Sequence, residues 1–87
     1  MDHKSRKKIT AEQIRAARSV LGFSIQKVAE ATGIGSATLK RYEAVAGVPE
    51  SRKDNLETLK FFFQSWGIEF IGTPDDRPGI RIGKPKP

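Results

Sequence analysis

From Thr10 to Gly67 the apolar side chains recur at helical spacing, and beyond Gly67 they alternate. In AEQIRAARSVLG the residues Ile14, Ala17 and Leu21, with Val20 beside them, mark one helical face. Thr10 opens this helix, because TAEQ has the form of a capping box in which the hydroxyl accepts an orphan amide while Gln13 reaches back to the cap. Gly22 supplies the left-handed stop. A second helix, IQKVAEAT, is capped by Ser24, turns Ile25, Val28 and Ala29 inward and ends at Gly33. Gly33 takes a positive φ at little steric cost, Ile34 drops into the core, and Gly35 lets the chain re-enter a helix at once. Two short helices are thereby expected to meet at a steep angle.

On the third helix a wheel centred on Leu39 brings Tyr42 and Glu43 to the buried side, while Ala37, Lys40, Arg41 and Ala44 gather opposite. Tyr42 is expected in the core. A fourth helix, SRKDNLETLKFFFQSWG, opens at Ser51 and closes at Gly67, with Leu56, Leu59, Phe63 and Trp66 in one stripe that Phe61 and Phe62 widen. IEFI and IRI alternate as strands about the turn GTPDDRPG, which sets Ile68, Phe70, Ile80 and Ile82 on one side of a hairpin. Asp75 and Asp76, beside Pro74 and Arg77, read as turn residues.

The pattern predicts a mainly α fold of about four helices with a short C-terminal β-hairpin. Residues 1–9 form a basic arm, 10–67 the helical domain, 68–83 the hairpin and 84–87 a tail. Three consecutive phenylalanines followed by Trp66 present more apolar surface than three short helices can cover. A homodimer is the expected remedy, with Phe61, Phe62, Trp66, Ile68, Phe70, Ile80 and Ile82 at its interface and Glu69 and Arg81 available for cross-strand pairing.

At 87 residues the chain is one small domain, with no apolar run long enough to span a membrane and no visible signal peptide. The lack of cysteine suits a cytoplasmic location, and His3 is the single histidine, so neither a metal site nor a cofactor is expected and an enzyme is a distant reading. Net charge is +6, and four of its cations, Lys4, Arg6, Lys7 and Lys8, lie in the first ten residues. Such a basic domain points to a polyanion, nucleic acid before an anionic membrane surface. The outer face of the third helix fits this: small residues avoid groove walls, alanine methyls can touch a thymine methyl, and long cations reach base edges or phosphates.

FSIQKVAEATGIGSATLKRYEA resembles the helix-turn-helix of lambda-repressor/Cro-like (XRE-type) transcriptional regulators. Ser24, Val28, Ala29, Gly33, Ile34, Thr38, Leu39, Tyr42 and Glu43 fall on that pattern. The chain departs from it at Ile25, where a phosphate-touching glutamine is common and Gln26 stands one place along, and at Gly35, Ser36 and Ala37, where a polar cap and base-reading amides are frequent. The resemblance implies a lambda-repressor-like bundle that binds double-stranded DNA. By position it leaves Ser36, Lys40 and Arg41 as the base or edge readers and Thr38 on the backbone, with Ala37 and Gln26 also on the DNA-binding side and the arm cations Lys7 and Lys8 around the duplex. It also implies a structural ion pair between Arg18 and Glu43. The expected function is a homodimeric regulator that represses by occluding a palindromic operator. An antitoxin or phage-type regulator with a protein partner such as a toxin, or a helical adaptor that binds no DNA, would share these features.

Overall fold

Two hydroxyls decide where the first two helices begin. The structure, a computed structural model, describes residues 8–51 and 54–83. Helix α1 spans Ala11–Leu21, and at its start Thr10 Oγ1 accepts from the Gln13 amide at 3.1 Å while Gln13 Oε1 accepts from the Thr10 amide at 2.9 Å. The capping box is thus complete. Helix α2, Ile25–Thr32, starts where Ser24 Oγ accepts from the Lys27 amide at 3.0 Å. Gly22 and Gly33 end these helices at φ 71° and 78°, in the left-handed region.

Helix α3, Ser36–Glu43, follows after three residues and has Gly35 at its N-cap with no side-chain cap bond. Gly35 sits at φ −61°, a conformation open to any residue, so its expected part in re-entering the helix is not conformational. Its effect is to leave the front of α3 without a side chain. Helix α4 spans Asn55–Ser65, starting later than the hydrophobic pattern predicts. Asp54 holds the N-cap position, and the Ser51 oxygen meets the Tyr42 hydroxyl at 3.2 Å. Trp66 falls past the last turn of α4, so the expected stripe stops at Phe63.

Strands β1 (Ile68–Thr73) and β2 (Asp76–Ile82) pair antiparallel, with Ile68 opposite Ile82 and Phe70 opposite Ile80. Both run further than the sequence pattern suggests, and the turn shrinks to Pro74 and Asp75. Gly72 makes this possible. The ladder slips between Ile71 and Thr73, Gly72 takes φ 76°, and a Cβ there would run into the Arg77 carbonyl. Only glycine fits such a bulge.

The core joins every layer: Ile14 and Ala17 of α1, Val28 of α2, Ile34 of the turn, Leu39 and Tyr42 of α3, Leu56, Leu59 and Phe63 of α4, and Ile68 of β1. Phe70 and Ile80 of the hairpin pack against it. At the other end of α1, Phe23 meets Trp66 edge-on at 5.2 Å, and Lys27 lies 5.0 Å from the Phe23 ring and 5.8 Å from that of Trp66.

Gln13 has a second task that no local pattern announces. Its Nε2 donates to the Ile71 carbonyl at 3.1 Å and to the Gly79 carbonyl at 2.8 Å, the two residues of one cross-strand pair. All donors and acceptors of this buried amide are used, so one side chain caps α1 and pins the hairpin to it. Glu12 fixes the other neighbour: its carboxylate accepts from the Gly47 amide at 3.2 Å, and Ala11 N donates to the Gly47 carbonyl at 2.8 Å. The amide of Glu12 itself, then that of Gly47, hold the Glu12 carboxyl below the ordinary carboxylate range.

Gln13→Ala should lower unfolding stability by about 2–3 kcal/mol in a urea melt, since it removes the returning cap bond and both hairpin bonds. Amide exchange should accelerate first in residues 68–82. Loss of stability with uniform exchange would remove the clamp from its place as the hairpin's attachment.

Candidate functional site

Leu39 and Tyr42 sink α3 into the core at 1% and 2% exposure, which forces Ala37, Lys40, Arg41 and Ala44 outward, where all four are exposed. Ser36 and Thr38 are half-buried on its flanks. The C-terminal residue of α3 is gripped from α1. Arg18 Nε and Nη2 donate to the two Glu43 carboxylate oxygens at 2.7 and 2.8 Å, and Arg18 Nη1 donates to the Phe23 carbonyl at 3.0 Å. Arg15 Nη1 adds a bond to the Glu43 carbonyl. The Glu43 carboxylate, by hydrogen bond first and charge second, raises the Arg18 pKa, so the fork stays charged at all ordinary pH.

The other cations divide sharply by partner. Arg77 pairs with Asp76 at 2.9 Å and Arg81 with Glu69 at 3.3 Å, both at the surface of the hairpin. Arg41 meets no acceptor among the described residues; its guanidinium lies 5.7 Å from the Tyr42 ring. Lys40 likewise has no acidic partner among them. Of the arm cations, Lys8 is exposed beside Thr38 and Arg41, where it lines an open groove, while Lys7 lies outside the described residues. Gln26 is exposed on α2 and donates from Nε2 to Glu30 at 3.0 Å, so its amide is engaged along its own helix.

The groove beside α3 escaped the sequence pattern. Tyr42 forms its inner wall, held by Asn55 Nδ2 donating to its oxygen at 3.0 Å and by the Ser51 oxygen at 3.2 Å. Val48 and Glu50 line it as well. The run from Gly47 to Ser51 offers no periodicity by which these residues could be assigned to a site.

The apolar residues assigned to a dimer separate into two groups. Phe61, Ile82 and Trp66 are 76%, 64% and 38% exposed. Phe62 is half-buried against Phe23, ring centroids 6.0 Å apart, and Phe70 lies 6.3 Å from Phe63. Ile68 is buried in the protein's own core and Ile80 packs against it, so Ile68 cannot serve a partner surface as the sequence pattern suggests. Among the described residues no cluster of His, Cys, Asp or Glu could hold a metal ion, and no helix is long and apolar enough to cross a membrane.

No protein-family model matches the chain, and a search of curated proteins returns no match.

Removing the Glu43 carboxylate leaves the partly buried Arg18 guanidinium with no counter-charge and only the Phe23 carbonyl to bond. Glu43→Ala should therefore cost on the order of 3 kcal/mol in denaturant unfolding, and Arg15→Ala clearly less, since Arg15 is exposed and makes a single carbonyl bond. Equal losses in the two variants would contradict this order.

Proposed function

We propose that the chain is a double-stranded DNA-binding regulator of the lambda-repressor/Cro-like kind, with α2 and α3 as its helix-turn-helix and α3 entering the major groove. The observation that carries the reading is the use of arginine. Arg15, Arg18, Arg77 and Arg81 are all spent on oxygens of the chain itself, and Arg41 alone among the described arginines keeps its planar fork free, on the exposed face of a helix whose neighbours there are methyl groups and Lys40. A free fork between small side chains is what bidentate reading of a guanine edge requires. Lys40 serves phosphate, Ser36 and Ala37 approach base edges from the first turn, Thr38 and Lys8 bind backbone at the flank, and Gln26 reaches phosphate only by leaving Glu30. Repression by operator occlusion is the mode of action this reading carries.

The unit that binds is a homodimer. Phe61, Trp66 and Ile82 remain exposed around the end of α4 and the open end of the hairpin, where Gly83 N donates to the Gly67 carbonyl at 2.6 Å. A second copy covers them and sets two α3 helices about 34 Å apart, one duplex turn. These exposed side chains also suit a different protein partner, such as a toxin, and the oligomeric state of the isolated chain separates the two.

Arg41→Ala should weaken binding to a selected duplex by about 1–3 kcal/mol and relax preference at one base position per half-site. Lys40→Ala should weaken all duplexes alike and reduce the slope of log affinity against log salt by about 1 per subunit. Binding that is weak and insensitive to salt in the unaltered protein would overturn the DNA reading.

Phe61→Lys combined with Ile82→Lys should convert the dimer to a monomer in sedimentation equilibrium. Both side chains are exposed, so the circular dichroism spectrum should not change. A double variant that sediments as the unaltered protein does would move the interface elsewhere.

A further inference from the structure

We propose that the groove between α3 and the 48–51 segment is a binding site for a small organic anion that also carries a hydrogen-bond donor, and that its occupant competes with DNA for Arg41. Two cations enter the groove from different parts of the chain, Arg41 from α3 and Lys8 from the segment ahead of α1, and neither has an acidic partner among the described residues. Two unpaired cations lining one groove favour an anionic group there. The wall behind them is already ordered: Asn55, Tyr42 and Ser51 form a hydrogen-bonded row at 3.0 and 3.2 Å, and Tyr42 is 2% exposed. Buried Pro49 and half-buried Val48, packed on the core, give the groove a fixed apolar side. That wall needs no ordering on binding, so the entropic cost falls on the exposed Lys8, Arg41 and Glu50 side chains.

Glu50 determines what kind of anion fits. Its carboxylate lines the same groove, is exposed, and forms no ion pair with a described residue. A duplex backbone presents only acceptors and negative charge there, so Glu50 repels it, and the Glu50 side of the groove stays outside a DNA footprint that takes Arg41, Thr38 and Lys8 by their outer side. A compact ligand with a phosphate or carboxylate at Lys8 and Arg41 and an amine or hydroxyl at Glu50 satisfies both signs at once. Its apolar part rests on Val48. Because one guanidinium cannot serve a base edge and this anion together, occupation of the groove lowers DNA affinity. That second half rests on the DNA reading; the ligand site itself does not.

The full chain, without DNA, is titrated by amide NMR with adenosine monophosphate, adenosine and inorganic phosphate at constant ionic strength. Saturable shifts confined to the Thr38, Arg41, Glu50 and Ser51 amides are expected with adenosine monophosphate, weaker ones with phosphate, and none with adenosine. Arg41→Ala should raise the dissociation constant about tenfold or more. Glu50→Gln should tighten phosphate several-fold and erase the advantage of the nucleotide over phosphate. Both residues are exposed, so the spectra of the variants will show an intact fold. Absence of these shifts at about 10 mM of every probe, shifts spread evenly over Lys27, Lys40 and the termini, or a Glu50→Gln variant that treats the probes as the parent does, would each overturn the site. Duplex binding measured with the groove saturated tests the coupling: undiminished affinity overturns the competition. A groove that titrates in a protein showing no duplex binding overturns the DNA reading and leaves the site standing.

Discussion

Helix α3 has eight residues, barely two turns, and no side-chain cap. A helix of that length is not stable in water on its own, because nucleation costs more than two turns return. Its geometry is therefore borrowed from its neighbours. Leu39 and Tyr42 fix its rotation about its axis, and the bidentate Arg18–Glu43 pair, joined by Arg15 on the Glu43 carbonyl, fixes its C-terminal end. A helix held by one face and one end has its other face and other end uncovered. The arrangement that stabilises α3 is the same one that exposes Ala37, Lys40 and Arg41, so stability and presentation are a single constraint here.

The hairpin is part of the same economy of a small core. Below about a hundred residues one helical layer buries little apolar surface, and a two-stranded ribbon alone is marginal. Each supplies what the other lacks. Ile68, Phe70 and Ile80 cover Phe63 and its neighbours, and Gln13 spends both amide hydrogens on carbonyls of one strand pair. Removing the hairpin would expose the core and strand the Gln13 amide, so it belongs to the fold before it belongs to any interface.

Local chemistry was legible where one short stretch carries the whole cause. The TAEQ box, the Ser24 cap, and Gly22 and Gly33 each act within four residues, and each stands where the sequence pattern puts it. The Arg18–Glu43 pair came from family resemblance, since nothing in 25 residues of separation marks two side chains as partners. What stayed hidden depends on distance in the chain. Gln13 finds its carbonyls 58 and 66 residues away, and the cap it also makes was explanation enough for its presence. The sequence pattern predicts shorter strands because Gly72 and Pro78 look like turn formers, whereas the bulge absorbs Gly72 and a two-stranded ribbon tolerates proline on an edge. At the groove, helical spacing alone puts the Tyr42 ring in the core, but its hydroxyl, and hence Ser51 and Asn55, only acquires meaning once these residues are brought together in the fold.

Charge completes the division between the two sides of the molecule. Two copies of a chain carrying +6 repel one another, so self-association requires a face where the local field is small. The hairpin is such a face, because Arg77 and Arg81 are each answered by a carboxylate and Asp75 adds a further negative charge. Residues 48–67, which include all of α4, hold Arg52, Lys53 and Lys60 against Glu50, Asp54 and Glu57 and sum to zero. The exposed apolar side chains Phe61, Trp66 and Ile82 lie on these neutral elements, and the unanswered cations Lys40 and Arg41 lie on α3, with Lys8 beside it. Surface that can approach a like copy and surface that attracts a polyanion are thus built from different elements. In the dimer proposed above, the seam through α4 and the hairpin joins elements of little net charge, and the positive charge of α3 is no part of it.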